Sequence, residues 1–175
     1  MWTNHPESEI YTIREAELRD FLGMTPGGFM MESGAHALGC AVISAGTGNT
    51  EQQVAAIAHF KPTGYLGTPD FLKVLLDAAE QAGKDASSLQ RALVSGAALP
   101  MSLRQELAAR GVRVRQCYAT ADLGVIAYES EEIEGLIVNE TLLVEIVWPG
   151  TGDPVAMGDV GEVVVTSFHP DYPMI

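Results

Sequence analysis

The sequence predicts an α/β fold: a parallel sheet with helices on its faces, followed by a small antiparallel β-meander or barrel. Three observations carry that reading. Between residues 40 and 116, short apolar runs alternate with helix-length segments whose apolar residues recur at 3.6-residue spacing. Within residues 91–124, two apolar strands (92–94 and 112–116) flank one short helix, so they must run parallel and end on the same edge of the sheet. After Gly124 no helix of useful length remains, and short strand candidates are joined by Gly, Pro and acidic turns.

Composition narrows the function classes. The 175 residues are 47% hydrophobic and 19% charged, a globular balance sufficient for one core, of one domain or part of a larger one. A net charge of -13 with only ten Lys and Arg argues against a nucleic-acid or anionic-membrane partner, since both need a basic surface. No apolar run approaches the roughly 18 residues that span a bilayer, and the start MWTNHPESEI lacks the plan of a signal peptide, so a cytoplasmic location is expected. Cys40 and Cys117 stand far apart, without the spacing of a metal knuckle, and read as buried thiols.

In chain order, residues 1–23 form a peripheral segment with one helix candidate. Thr12 and Glu15 make a capping box, Ile13, Ala16, Leu18, Phe21 and Leu22 a rough apolar face, and Gly23 a stop. A second helix, 24–38, carries Phe29, Met30, Ala35, Ala37 and Leu38, and leads into a strand at 40–43. The glycine-rich loop SAGTGN at 44–49 admits two readings. It is a phosphate cradle, or it is the entry of a helix whose capping box is Thr50 and Gln53; the absence of a following Lys favours the entry. A helix at 50–60 precedes Pro62 and a strand at 63–66. Thr68 then caps, and Pro69 opens, a helix whose wide apolar face comprises Phe71, Leu72, Val74, Leu75, Leu76 and Ala79, ending at Gly83.

The stretch RALVSGAALPMSLRQELAARGVRVRQCYATADLG at 91–124 adds a small-residue turn at 95–98, a helix opened by Pro100, and a polar loop at 118–122. Both loops follow parallel strands, so they open at one rim, where open α/β sheets bind ligands. Beyond it, strands are expected at 125–128, 136–138, 142–148 and 162–168. The acidic run 129–134 reads as a solvated hairpin loop, and 149–161 as a turn between strands.

Three segments in this order, SGAALP, RVRQCYATADLG and GLIVNETLLVEIVWPGTGDPVAMGDVGEVVVTSF, resemble the central part of phenylacetate-CoA ligases, in the AMP-forming acyl-adenylate (acyl-CoA synthetase) superfamily; the segment 34–72 is similar to what precedes it there. The resemblance implies part of the large N-terminal domain of an adenylate-forming enzyme. Residues 24–124 would be a partial α/β subdomain binding nucleotide and acid, and 125–175 a partial antiparallel β subdomain. It implies that Ser95, Gly96, Ala97 and Ala98 line an adenine pocket through their backbone, and that Gln116 stands where an Asn often faces the adenine amino group. The family pattern Tyr-Gly-x-Thr/Ser-Glu falls on Tyr118, Ala119, Thr120, Ala121 and Asp122, with Tyr118 stacking on adenine and Asp122 meeting magnesium. Ala119 replaces the usual Gly, Ala121 a hydroxyl residue and Asp122 the longer Glu, so the phosphate contact is expected at Thr120.

The activity implied is ATP-dependent activation of a carboxylic acid, aromatic and such as phenylacetate, through an acyl-adenylate to its coenzyme A thioester, with ATP, Mg2+ and coenzyme A. The acid's apolar part is expected between residues 23–31, the strand end at 65–68 and the loop at Tyr118. The family's phosphate loop has no counterpart in residues 1–39, and its ribose-binding Asp and catalytic Lys would lie beyond Ile175. The 175-residue chain alone is therefore expected to be inactive. It is expected to expose apolar surface such as Val74, Leu75 and Leu76, and so to self-associate as a two-fold homodimer or to need the rest of a longer chain. A non-catalytic remnant or assembly module with this fold is the alternative. A dinucleotide-binding domain is disfavoured, because no strand is followed by GxGxxG.

Overall fold

The computed structural model describes residues 2–3, 26–131 and 135–169. Their elements in chain order are β1 (Trp2–Thr3), α1 (Pro26–Ala37), β2 (Ala41–Val42), α2 (Thr50–Phe60), β3 (Gly64–Gly67), α3 (Pro69–Gln81), β4 (Arg91–Val94), α4 (Met101–Ala109), β5 (Arg113–Thr120), β6 (Gly124–Tyr128), β7 (Ile137–Val138), β8 (Leu142–Val147) and β9 (Glu162–Ser167). The helix expected around Thr12 and Glu15 lies outside the described residues.

Parallel pairing organises the centre. Gly64 to Gly67 of β3 pair with Arg91 to Val94 of β4, which pair in turn with Arg113 to Gln116 of β5. The three strands are spatial and sequential neighbours, so right-handed crossovers put α3 and α4 on the same face. The ion pairs Lys73–Glu106 (2.9 Å) and Arg110–Asp77 (2.6 Å) join these two helices there. Helix α3 meets the sheet through Leu72, Leu75, Leu76 and Ala79, one stripe at helical spacing, packed with Tyr65, Ala92, Val94, Val114, Leu107 of α4 and Val54 and Ile57 of α2. Each large side chain so buried contributes about 1.5–3 kcal/mol. The expectation that Leu75 and Leu76 lie on an exposed face is therefore corrected. Only Val74, at 46% exposure, points outward, because residue 74 falls on the far side of the stripe.

The sheet extends beyond this core in both directions. Among the described residues it has seven strands in the order β2-β1-β3-β4-β5-β6-β7, with β8 and β9 as a separate pair. Strand β1 runs antiparallel to both β2 and β3, so residues 2–3 are part of the sheet and not peripheral. The loop expected at 118–122 is also shorter than its polarity suggested. Strand β5 continues through Thr120 and pairs antiparallel with β6, with a register shift between Tyr118 and Ala119. Strands β6 and β7 thus continue the central sheet, and only β8 and β9 form a two-stranded ladder of their own, from Leu142↔Ser167 to Val147↔Glu162. Alternation along a strand reveals that it is a strand but not which neighbour it pairs with. Asn139 stitches the two parts. Its Nδ2 donates to the Val125 carbonyl (2.9 Å), and its Oδ1 accepts from the Thr141 backbone N–H (3.0 Å).

Helix α2 begins where expected, but without the capping box. Asn49 is the N-cap, in a left-handed conformation (φ 49), and makes no side-chain cap hydrogen bond. That places Thr50 one position inside the helix. Gln53 instead turns into the preceding loop, its Nε2 donating to the Gly48 carbonyl (2.7 Å) and lying 3.4 Å from the carbonyls of Ala45 and Gly46. Gln53 is buried, and the loop is held by its side chain.

The first residue of the acidic run is buried too, which corrects its reading as wholly solvated. Glu129, with 3% of its side chain exposed, accepts from Arg104 Nη2 (2.5 Å) through one oxygen and from the Gln116 backbone N–H (2.9 Å) through the other. Arg104 also donates to the Val114 carbonyl (2.9 Å). One ion pair thus clamps α4, β5 and the end of β6. Replacing Arg104 by Ala leaves the carboxylate buried without its cation and is expected to destabilise by about 3–5 kcal/mol in urea denaturation. Arg104→Met combined with Glu129→Leu removes the stranded charge and is expected to recover part of that loss; a double variant no more stable than the single one would show that the charges are not coupled.

Candidate functional site

The register Gly67↔Val94↔Gln116 aligns the ends of β3 and β4 with the last residue of β5 that pairs in parallel, along one rim. The next residue of each strand line begins a wall. Ser95 donates its backbone N–H to the Gly67 carbonyl (3.0 Å), which fixes the turn after β4 against β3. Gly96 then takes φ 76, a conformation a side chain disfavours, and lies against Thr68. Gly67 is required for another reason. Tyr65 folds back over it to donate its hydroxyl to the Thr68 carbonyl (3.1 Å), and a Cβ at Gly67 would collide with that hydroxyl. Burial raises the Tyr65 phenol above its ordinary range, consistent with a donor that stays protonated.

Two cavities open at this rim. The first, about 500 Å3, lies between the turn after β4 and the end of β5, lined by Ser95, Gly96, Ala97, Gln116, Cys117, Tyr118 and Ala119, with Leu136 closing one side. Tyr118 is 44% exposed and presents an aromatic surface here. Cys117 is buried, and that burial pushes its thiol up, partly offset by a hydrogen bond with the Ser95 side chain. Neither Cys117 nor Cys40 is in a disulfide, as expected. Of the expected residues, Ala98 alone falls off the wall of this turn, exposed on the way to α4.

The second cavity, about 720 Å3, shares Ser95, Gly96 and Ala119 with the first. Its walls come from the start of α1 (Gly27 to Glu32), the glycine-rich loop with Gln53, the β3 end from Tyr65 to Thr68, Asp70 and Phe71, Leu93, and Thr120 and Ala121. Leu66 and Leu93 are register partners that alternate with the core residues Tyr65 and Ala92, so the sheet supplies both the core and this cavity. Of the stretches expected around the acid's apolar part, Gly27, Gly28, Met30 and Met31 and residues 65–68 line this cavity, whereas Tyr118 lines the first. Glu32, Gln53, Asp70 and Phe71 were not singled out by sequence as site residues. Nothing in the periodicity of α1 or α3 separates a cavity-facing position from a core-facing one.

The polar equipment is sparse. Thr120 lines the second cavity, its Oγ1 accepting from the Leu123 backbone N–H (3.2 Å) within the hairpin turn. Asp122 is exposed in that turn and lines neither cavity. A hydrogen bond from the Thr68 side chain holds the Asp70 carboxyl below its ordinary range. Among the described residues no Lys or Arg lines either cavity, and no group of three or more His, Cys, Asp or Glu could hold a metal ion. An anionic ligand would therefore have to be met by backbone N–H groups, hydroxyls, or a cation brought with it.

Comparison with known proteins agrees with this architecture. The family model described as AMP-binding enzyme matches residues 12–169. A phenylacetate-coenzyme A ligase of Pseudomonas putida is 32% identical over 161 residues, covering 87% of this chain and 37% of that protein. One from Escherichia coli is 31% identical, covering 83% of this chain and 35% of its own. The chain thus spans about a third of the length of these curated relatives. Among solved structures, 2-hydroxyisobutyryl-CoA ligase in complex with 2-HIB-AMP and CoA shares the fold with a TM-score of 0.73 at 21% identity, covering 82% of this chain and 33% of that one. The anthranilate CoA ligase in complex with anthranoyl-AMP gives 0.62 at 19% identity, covering 74% and 26%. With its fold that of part of the large N-terminal domain of adenylate-forming CoA ligases, the chain belongs to the family of AMP-binding enzymes.

Proposed function

We propose that this chain is the central part of an AMP-forming acid–coenzyme A ligase, acting on an aromatic acid such as phenylacetate. The observation that carries the reading is the pair of adjoining cavities sharing Ser95, Gly96 and Ala119. A base in the smaller one, beside Tyr118, and an acyl group in the larger, mostly apolar one would place the bond between phosphate and acid over the shared wall. In the first half-reaction a carboxylate oxygen attacks the α-phosphorus of ATP and pyrophosphate leaves. In the second, the coenzyme A thiolate attacks the acyl carbon and AMP leaves. In this reading Ser95, Gly96 and Ala97 meet the adenine through backbone, Gln116 faces its amino group, and Thr120 turns its hydroxyl to phosphate. The α/β part, 24–124, supplies most of these contacts.

Asp122, exposed in the turn between β5 and β6 next to Thr120 and Ala121 of the cavity wall, is the carboxylate we assign to magnesium, which is usually held by one or two carboxylates plus the phosphates of its substrate. When bound, the ion would neutralise phosphate charge as pyrophosphate departs. Asp122 would be the chain's contribution to holding it.

Two substitutions test the assignment in the complete gene product. Tyr118→Ala is expected to weaken ATP binding by roughly 1–3 kcal/mol, the scale of a lost base–aromatic stack. Calorimetry giving unchanged affinity would remove Tyr118 from the site. Asp122→Asn is expected to lower acid-dependent ATP–pyrophosphate exchange at least tenfold, about 1.4 kcal/mol in the barrier, with the melting temperature nearly unchanged because the side chain is exposed. Normal exchange in this variant would place the metal elsewhere, and nucleotide binding without any exchange in the wild type would favour a non-catalytic assembly module.

A further inference from the structure

Among the described residues, the wall of the larger cavity holds two charged side chains, Glu32 and Asp70, both acidic, among apolar groups that include Met30, Met31, Phe71 and Leu93. Their situations differ. Asp70 is exposed, and the Thr68 side chain already donates to it. Glu32 is mostly buried, with 18% of its side chain exposed. Its Oε1 lies 3.5 Å from Nε2 of His36, one turn further along α1. Its Oε2 is sealed from solvent and has no hydrogen-bond partner among the described residues.

A carboxylate oxygen taken out of water without a donor is costly, and such groups in folded proteins are normally satisfied. Glu32 lines the cavity wall, and the terminal torsion of Glu is soft, so its unpaired oxygen can turn to meet a donor bound there. No Lys, Arg or other donor-bearing side chain of the cavity wall is bonded to this oxygen. The donor it lacks would arrive with the ligand.

We propose that the larger cavity takes an aryl acid bearing a hydrogen-bond donor, an amino or hydroxyl group on the ring, which Glu32 accepts. The inference rests on the reading of this cavity as the acyl site and goes beyond it by naming the substrate class. An unsubstituted aryl acid would press an apolar ring against a carboxylate and leave it unpaired. Sites built to bond a substrate O–H or N–H reject the analogue lacking it far more strongly than apolar pockets reject an extra methylene.

The test is acid-dependent pyrophosphate release by the complete gene product, with kcat/KM measured for phenylacetate and for its ring-hydroxylated and ring-aminated isomers. At least one donor-bearing acid is expected to exceed phenylacetate tenfold or more. In Glu32→Leu the preference should reverse, with kcat/KM rising for phenylacetate and falling at least tenfold for the donor-bearing acid; damage to the fold would lower both. Glu32→Gln, closer in shape, is expected to move the ratio in the same direction by a smaller factor and serves if the Leu variant does not fold. A wild type that turns these acids over without preferring a donor, or a ratio unmoved by either substitution, would overturn this inference alone. A wild type that releases pyrophosphate with no acid would overturn the proposed function and this inference with it.

Discussion

The in-register parallel pairing of β3, β4 and β5 is the constraint on which the rest of the structure depends. Parallel strands joined by short helices must end on one edge, and the alignment of Gly67, Val94 and Gln116 sets the turns after β3 and β4 beside the stretch of β5 that has left the parallel ladder. No single residue at the rim makes a site. The site arises because β3 and β4 end, and β5 leaves its parallel partner, at the same level, beside cavities whose floor is the sheet itself. Small residues there follow from crowding: Gly96 lies against Thr68, and Gly67 has the Tyr65 hydroxyl where a Cβ would be.

Holding such a rim open requires rigidity below it, and the Arg104–Glu129 pair supplies it one layer down. Arg104 sits on the helix that follows the Ser95–Gly96 turn, and Glu129 follows the strand that leaves the Tyr118 wall. By bonding the Gln116 backbone N–H and the Val114 carbonyl, the pair joins the supports of both walls of the smaller cavity. A buried pair is a poor source of net stability, since desolvation offsets most of the attraction, but it is intolerant of misalignment. Its geometric demand falls on β5, just before that strand shifts register between Tyr118 and Ala119.

How much of this was legible in the sequence follows from which interactions are local. Helices α2 and α3 were readable nearly to their ends, because Thr68, Pro69 and the stripe Leu72, Leu75, Leu76 and Ala79 act within a few residues of one another. The sides of the smaller cavity were readable too, from small residues after one parallel strand and Tyr118 near the end of the next. Three features were not. The insertion of β1 between β2 and β3 joins residues some 40 positions apart. The continuation of the sheet into β6 and β7 is a choice of partner, to which alternation is blind. The burial of Glu129 depends on Arg104, 25 positions away, and one Glu in an acidic run looks like its neighbours. Gln53 is a milder case: it stands where a capping box would place it, but the N-cap is Asn49 and its amide bonds the preceding loop instead.

The charge of the chain adds a last constraint on how an anion would be handled here. With a net charge of -13 and no Lys or Arg among the described residues of either cavity wall, the long-range field opposes phosphate and carboxylate alike. Binding an anion at this rim must then rely on short-range, directional groups: the N–H dipoles of the turn after β4, the Thr120 hydroxyl, and counter-charge carried in with the ligand. Such groups act only at contact distance, where a pre-set geometry costs no reorganisation when charge develops. A site of this kind discriminates by shape and hydrogen bonding more than by attraction. In such a wall an unpaired oxygen like that of Glu32, which a neighbouring cation would claim in a strongly basic pocket, is left to be satisfied by a donor on the ligand, as proposed above.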